Sequence, residues 1–287
     1  MTYRLLAMDL DDTILPREGN ISERSRAAIR TAQEHGVMVT LASGRTFGAV
    51  SRFARDLGID LPVITHQGAL VKDTVTGQVL YEDLFPLDVM RDVVRFCRAH
   101  DLHLNIYFGD DTFMEKGGPE FELYSALSRR TQSLTPDLMA VLDRSPTKFI
   151  VVSATPERTE ITMPLLKAAF GDRVSILRSH PILIEGVMPT VSKGRALSIL
   201  ADHLGVSQAE TAAIGDNEND MDMLKWAGLG LAMGNAALEV QAVADCVLPP
   251  IWEEGAAYGI EHYILNGSAR PLAAMESRPT HQQQCDG

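Results

Sequence analysis

Short apolar runs alternate with helix-like stretches at the start of the chain. Arg4 to Met8 is a run that ends in acid, Val37 to Ala42 is another, and between them Ser22 to His35 carries Ala28, Ile29 and Ala32 on one helical face. Asn20 or Ser22 offers an N-cap there, and Gly36 the stop. A second helix is expected from Thr46 to Leu57, closed by Gly58, and it leads to a third buried strand at Leu61 to Thr65. Strands this apolar suit a parallel sheet covered on both faces.

The pattern then changes. Ala69 to Lys72 and Gln78 to Tyr81 flank a Thr76-Gly77 turn and predict a hairpin. The block that follows predicts a helix from Asp88 to His100, strands at Leu102 to Tyr107 and Lys148 to Ser153, a helix from Pro156 to Phe170, and strands at Val174 to Arg178 and Ile182 to Glu185. That is an antiparallel α+β composition, and Pro86 and Pro189 stand at its edges as hinges. The wound pattern resumes with a helix from Ser192 to Leu204, a strand Thr211 to Ile214, a helix through Met221 to Trp226 and a strand Leu229 to Ala232. The expected fold is therefore α/β: a doubly wound, Rossmann-like parallel-sheet core over 1–84 and 188–270, interrupted by an inserted α+β domain over 85–187. The tail 271–287 has no apolar period and is expected to be disordered.

Charge narrows the partners. Lys plus Arg number 26 against 38 Asp plus Glu, a formal net charge of -12, which repels phosphate backbones and anionic lipid and argues against nucleic acid or a membrane as partner. A small anionic substrate is still compatible, because a metal ion or a helix N-terminus reverses the field inside one cleft. Cys97, Cys246 and Cys285 are odd in number and far apart, which fits a reducing cytoplasm rather than a disulfide framework. No apolar run approaches the roughly 18 residues of a membrane span, and Leu5-Leu6-Ala7-Met8 meets Asp9 before it could form a signal-peptide core.

The candidate chemistry sits at strand ends. Asp9-Leu10-Asp11-Asp12-Thr13 places three carboxylates directly after the first strand, where open parallel sheets bind ligands. Crowded carboxylates repel unless a cation shares them, and an oxygen-only set favours a hard ion, Mg²⁺ before Ca²⁺. A capped, solvated acidic turn accounts for this segment alone equally well. Gly215-Asp216-Asn217-Glu218-Asn219-Asp220 follows a second apolar strand, and the glycine and glutamate that a calcium loop needs are missing from it. Ser43-Gly44-Arg45 offers a hydroxyl and backbone amides after the strand at 37–42, and Lys193 before the next helix adds a cation. Each signal is weak singly, but in this order all four come to one sheet edge.

Together these four segments resemble the four motifs of the haloacid dehalogenase superfamily, and more narrowly its Cof-like phosphatases with a large inserted cap. The resemblance runs from residue 1 to about 265 and includes Ala232-Met233-Gly234-Asn235-Ala236 and Glu254-Gly255. It implies Asp9 as nucleophile and Asp11 as general acid and base, with Mg²⁺ held by the side chains of Asp9 and Asp216 and the backbone carbonyl of Asp11. It further implies Asn219 and Asp220 as support for metal and phosphate, and Ser43, Gly44 and Lys193 as phosphate ligands. The chain departs from the family at His66-Gln67-Gly68-Ala69, where Asn-Gly-Ala is common, so Gln67 carries its amide one methylene further out. His66 is expected to cap a strand rather than to act chemically.

The function so implied is Mg²⁺-dependent hydrolysis of small phosphate monoesters through an aspartyl phosphate, with sugar phosphates as the expected substrates and FMN or pyridoxal phosphate as alternatives. A phosphomutase would use the same intermediate. A phosphoacceptor signalling module would need its aspartate after the third strand, where Thr65-His66 stands, and an inactive sugar-phosphate binder would not retain every turnover residue. His103, Asn105 and Tyr107 alternate along a strand of the insertion and are expected to present hydrogen-bonding groups to a leaving group. A monomer or weak homo-oligomer is expected.

Overall fold

The computed structural model describes residues 3–128 and 132–266; the tail 271–287 and Cys285 lie outside them. Leu5, Leu6, Ala7 and Met8 are all fully buried because the strand they form is covered on both sides: Leu6 and Met8 enter one apolar cluster, Leu5 and Ala7 another. This strand, β1 (Leu5–Met8), is followed by α1 (Glu23–Glu34), β2 (Met38–Leu41), α2 (Phe47–Asp56) and β3 (Val63–Thr65). Ser22 caps α1 by accepting from the Ser25 N–H, and Gly36 takes the left-handed φ of +82° beyond its end. A hairpin, β4 (Leu70–Lys72) and β5 (Val79–Glu82), comes next.

The inserted block then runs α3 (Leu87–Ala99), β6 (His103–Phe108), β7 (Asp111–Met114), α4 (Pro119–Ser128), β8 (Ser133–Leu134), β9 (Lys148–Val152), α5 (Pro156–Phe170), β10 (Ser175–His180) and β11 (Leu183–Val187). The chain returns through α6 (Lys193–Leu204), β12 (Thr211–Gly215), α7 (Met221–Trp226), β13 (Leu229–Ala232), α8 (Leu238–Gln241), β14 (Cys246–Val247) and α9 (Gly255–Gly259).

The core sheet is parallel throughout, in the order β14-β13-β12-β1-β2. Helices α1, α2 and α9 pack on the Leu6 face, and α6, α7 and α8 on the Leu5 face, so the sheet is doubly wound. A second, six-stranded sheet, β10-β11-β9-β6-β7-β8, is antiparallel except for β7 with β8. Its outer face carries Leu104, Ile106, Phe149 and Val151 against α3 and α5. This sheet is the cap.

Three expectations change. The strand at 61–65 does not extend the parallel ladder: β3 touches the end of β2 only through one parallel bridge, Ala42 to Ile64, and pairs antiparallel with β4. Lys193 does not precede its helix but is the first residue of α6, with Ser192 as N-cap. The alternation in β6 does not present a hydrogen-bonding face, because α4 covers it. Tyr124 of α4 packs with Tyr107, Ile150 and Val152, and His103 and Asn105 are buried beneath. Only Tyr107 of those three reaches the cavity described below. Helix α4 leaves little trace in the sequence pattern, since of its apolar Phe121, Leu123, Tyr124 and Leu127 only Tyr124 is buried.

Candidate active site

Parallel pairing puts Met8 level with both Leu41 and Ile214, so the residues that follow β1, β2 and β12 meet at one sheet edge. Those residues are Asp9, Ser43 and Asp216. The chain leaves β1 for β2 on one side and later supplies β12 on the other, which makes this edge the point where ligands bind in open parallel sheets.

Asp9 is buried, and Lys193 Nζ donates to its Oδ1 at 2.6 Å. The same ammonium donates to Asp220 Oδ1 at 2.6 Å. Asp220 Oδ2 accepts the backbone N–H groups of Asp216 and Asn217, each at 3.0 Å, so Asp220 folds the loop that carries Asp216. A Cβ on Gly215 would come within 2.6 Å of the Asp220 Cβ, which is why the strand ends in glycine there. Asp216 Oδ1 in turn accepts from Thr13 Oγ1 at 2.7 Å.

One carboxylate oxygen each of Asp9, Asp216 and Asp220 lies within 4.8 Å of the others. Burial pushes the Asp9 carboxyl well above the ordinary range; Lys193 opposes this, while Asp220, Asp216 and Asp11 add to it. Asp216 is pushed up to about 7, by burial first and by the charge of Asp220 second. Burial disfavours the Lys193 charge, but Asp220 and Asp9 outweigh it and hold the ammonium above the usual lysine range. One ammonium does not balance three clustered carboxylates, and the oxygen-only donor set fits a hard divalent cation. Asp9 and Asp216 are free to share such an ion, whereas both Asp220 oxygens already accept from the protein.

Around this cluster the remaining candidates are arranged as a loop and a gate. Ser43 is fully buried, its Oγ accepting the Arg45 N–H at 3.2 Å, which leaves its own hydroxyl proton to be donated. The Gln67 amide packs directly on Gly44: a Cβ there would lie 2.3 Å from Gln67 Nε2 and force that side chain to move. Gln67 Oε1 accepts from Asn219 Nδ2 at 2.7 Å, so the longer amide bridges two of the loops. Asn219 Oδ1 is buried with no hydrogen-bond partner among the described residues. Asp11, half exposed, is gripped by Arg45 through Nε at 2.9 Å and Nη2 at 2.5 Å. His66 is buried edge-on to Tyr107, outside the cavity lining.

Between this edge and the cap lies a cavity of about 440 Å³. Asp9, Asp11, Gly44, Asp216 and Asn219 line its floor, while Ser43, Lys193 and Asp220 stand behind that surface. Its roof is cap: Tyr107, Thr112, Tyr124, Lys148, Leu183 and Glu185.

The chain matches the family model of haloacid dehalogenase-like hydrolases over residues 6–260. It belongs to the haloacid dehalogenase superfamily, in its Cof-like phosphatase branch. Phosphatase YwpJ of Bacillus subtilis is 27% identical over 287 residues, covering 91% of this chain and all of that one. A second B. subtilis relative, 5-amino-6-(5-phospho-D-ribitylamino)uracil phosphatase YitU, is 26% identical over 91% of this chain and 97% of its own length. Among solved structures, TM0651 of Thermotoga maritima is 30% identical with a TM-score of 0.80, covering 91% of this chain and 97% of that chain.

This phosphatase also uses residues that its sequence did not announce. Arg45 holds Asp11, and Asn235 ties down the same turn by donating to the Asp12 carbonyl at 2.9 Å while accepting from the Ile251 N–H. Asn235 stood within a segment carried by the resemblance, but nothing in its spacing pointed to Asp12. Tyr107, Tyr124, Lys148 and Glu185 reach the site only through the way the cap is folded back over the core, which no local pattern encodes.

Proposed function

We propose that this phosphatase hydrolyses small phosphate monoesters through an aspartyl phosphate formed on Asp9. The observation that carries the reading is Asp9 itself: a buried carboxylate on the floor of the cavity, one oxygen held by Lys193 and the other accepting no hydrogen bond from the described residues. In the proposed first step an Asp9 oxygen bonds to phosphorus while the ester P–O bond breaks, and Asp11 gives a proton to the departing oxygen. Water then bonds to the same phosphorus, yields its proton to Asp11, and the Asp9–phosphorus bond breaks to release inorganic phosphate. Ser43, the Gly44 loop, Asn219 and Lys193 hold the phosphoryl oxygens in this scheme. Asp9, Asp216 and the Asp11 carbonyl would hold Mg²⁺, with Asp220 bracing the loop, and the bound ion would supply positive charge to offset that of the attacked phosphoryl group. Because Arg45 grips Asp11, that pair opens when Asp11 turns to the leaving oxygen.

We further propose that the chain divides into a core over 1–84 and 188–270 and a cap over 85–187 that holds the leaving group. A cavity of about 440 Å³ admits a small metabolite and not a folded phosphoprotein. Hexose and pentose phosphates are the proposed substrates, and the substrate in the name of YitU, a phosphorylated ribityl chain, points in the same direction. Tyr107 and Tyr124 on the cavity wall favour a second reading, a ring-bearing phosphate such as FMN or pyridoxal phosphate. A panel of phosphate esters assayed with Mg²⁺ tests the reading: turnover of sugar or ring-bearing phosphates is expected, and turnover of none overturns it.

A further inference from the structure

One lysine of the cap reaches the backbone of the core. Lys148, the first residue of β9, is buried, and its Nζ donates to the Gly44 carbonyl at 2.9 Å across 104 positions of chain. The same nitrogen donates to Glu185 Oε2 at 2.8 Å and lies 5.0 Å from the centre of the Tyr107 ring. The ammonium thus spends its donors on a buried carboxylate, a ring face and one carbonyl of the loop beside the phosphate site.

That carbonyl is informative because a trans peptide is planar, so fixing the direction of the Gly44 C=O fixes the opposed Arg45 N–H. The Arg45 N–H is the group that donates to Ser43 Oγ, and the Arg45 side chain is the group that grips Asp11. A single cap donor therefore acts on the peptide that joins the Ser43 hydroxyl to the Asp11 clamp. The Gln67 side chain packs directly on Gly44, where a Cβ would lie 2.3 Å from its Nε2, so the loop that Lys148 holds is also braced by Gln67. The Lys148–Glu185 pair is buried, and its bond to Gly44 joins a cap strand to a core loop, so that bond requires the cap to lie against the core.

We propose that Lys148 is a positioning residue which sets the Gly44–Arg45 peptide on cap closure, so that the phosphate loop is complete only when the cap is shut. The inference rests on the phosphatase reading of that loop and adds to it a link from cap to loop through one bond. Lys148 also lines the cavity, so the competing idea is a lysine that merely touches the leaving group.

The test compares wild type with Lys148→Met and with Lys148→Met/Glu185→Gln, the double variant guarding against the misfolding that a lone buried carboxylate invites. Three experiments are read: exchange of the Arg45 amide proton by NMR, inhibition by inorganic phosphate, and steady-state kinetics (kcat and KM) on 4-nitrophenyl phosphate, whose leaving group is too small to need the cap's polar groups. Faster Arg45 exchange, weaker phosphate inhibition and lower kcat are expected, each by about tenfold, the worth of one charge-assisted hydrogen bond. Unchanged exchange and phosphate inhibition, with losses confined to KM for bulkier esters, would overturn the proposal. If wild type hydrolyses no phosphate ester, the phosphatase reading falls, and the Arg45 exchange rate alone still upholds or overturns the link from Lys148 to the loop.

Discussion

Lys193 ties Asp9 to Asp220, its Nζ lying 2.6 Å from a carboxylate oxygen of each. The geometry is set by secondary structure: Lys193 begins α6, Asp9 directly follows β1, and Asp220 anchors the turn after β12. Lys193→Met removes the ammonium and leaves two buried carboxylates facing each other. Breaking a buried pair from one side costs about 3–5 kcal/mol, so the variant should melt well below wild type. Its residual activity should fall by about 10²–10³-fold, as when a charge-stabilising donor is removed. Thermal melts and kcat on an aryl phosphate check both, and a variant with wild-type stability would contradict the role given to the pair.

A pH dependence of stability follows from Asp216. Its folded-state carboxyl is pushed up to about 7 against an ordinary value of 3.8, so the folded protein binds a proton that the unfolded chain has released. The metal-free protein should therefore lose stability as pH rises from about 4 through about 7, the reverse of the usual aspartate trend. Melting temperature in chelator should fall between pH 5 and pH 8, and Asp216→Asn should flatten the slope. Mg²⁺ competes with that proton, so it should raise the melting temperature more at pH 8 than at pH 5. A larger Mg²⁺ effect at pH 5 would contradict the shared site.

Asp11 should reveal its part through the leaving group. Asp11→Asn should slow alkyl phosphates more than aryl phosphates, because a poor leaving oxygen depends on the proton it receives. Kinetics on a matched pair of esters checks this. Equal losses on both would remove Asp11 from the proton-transfer step.

The strand-end acids were legible in the sequence because the signal is local: an apolar run buried on both faces, then an abrupt Asp9 or Asp216. Such a run has few folds open to it, and parallel pairing of the runs brings their ends together whatever the loops do. Ser43 and Lys193 were legible for the same reason, as residues at a strand end and a helix start. Arg45 and Asn235 were visible in their segments, yet their work depends on partners 34 and 223 positions away in Asp11 and Asp12. The cap was harder still. The polar alternation of His103, Asn105 and Tyr107 was real, but α4 lies over it, and α4 leaves little trace in the sequence pattern. What lines the cavity from above is therefore Tyr107 with Tyr124, Lys148 and Glu185, a set brought together from separate elements.

Cap removal should separate chemistry from recognition. Replacing 85–187 with a short linker should cost sugar-phosphate turnover far more than turnover of a small aryl ester, since Tyr107, Tyr124 and Glu185 leave with it. Specificity constants for the two substrates check this in a variant whose core still melts cooperatively. Equal losses would place substrate recognition in the core.

The central claim is a covalent phosphoryl group on Asp9, and rapid acid quench of a reaction with ³²P-labelled substrate tests it most directly. The account predicts protein-bound label that hydroxylamine releases, that maps to the peptide containing Asp9, and that Asp9→Asn abolishes. Turnover with no label on the protein, or label that survives in Asp9→Asn, would contradict it.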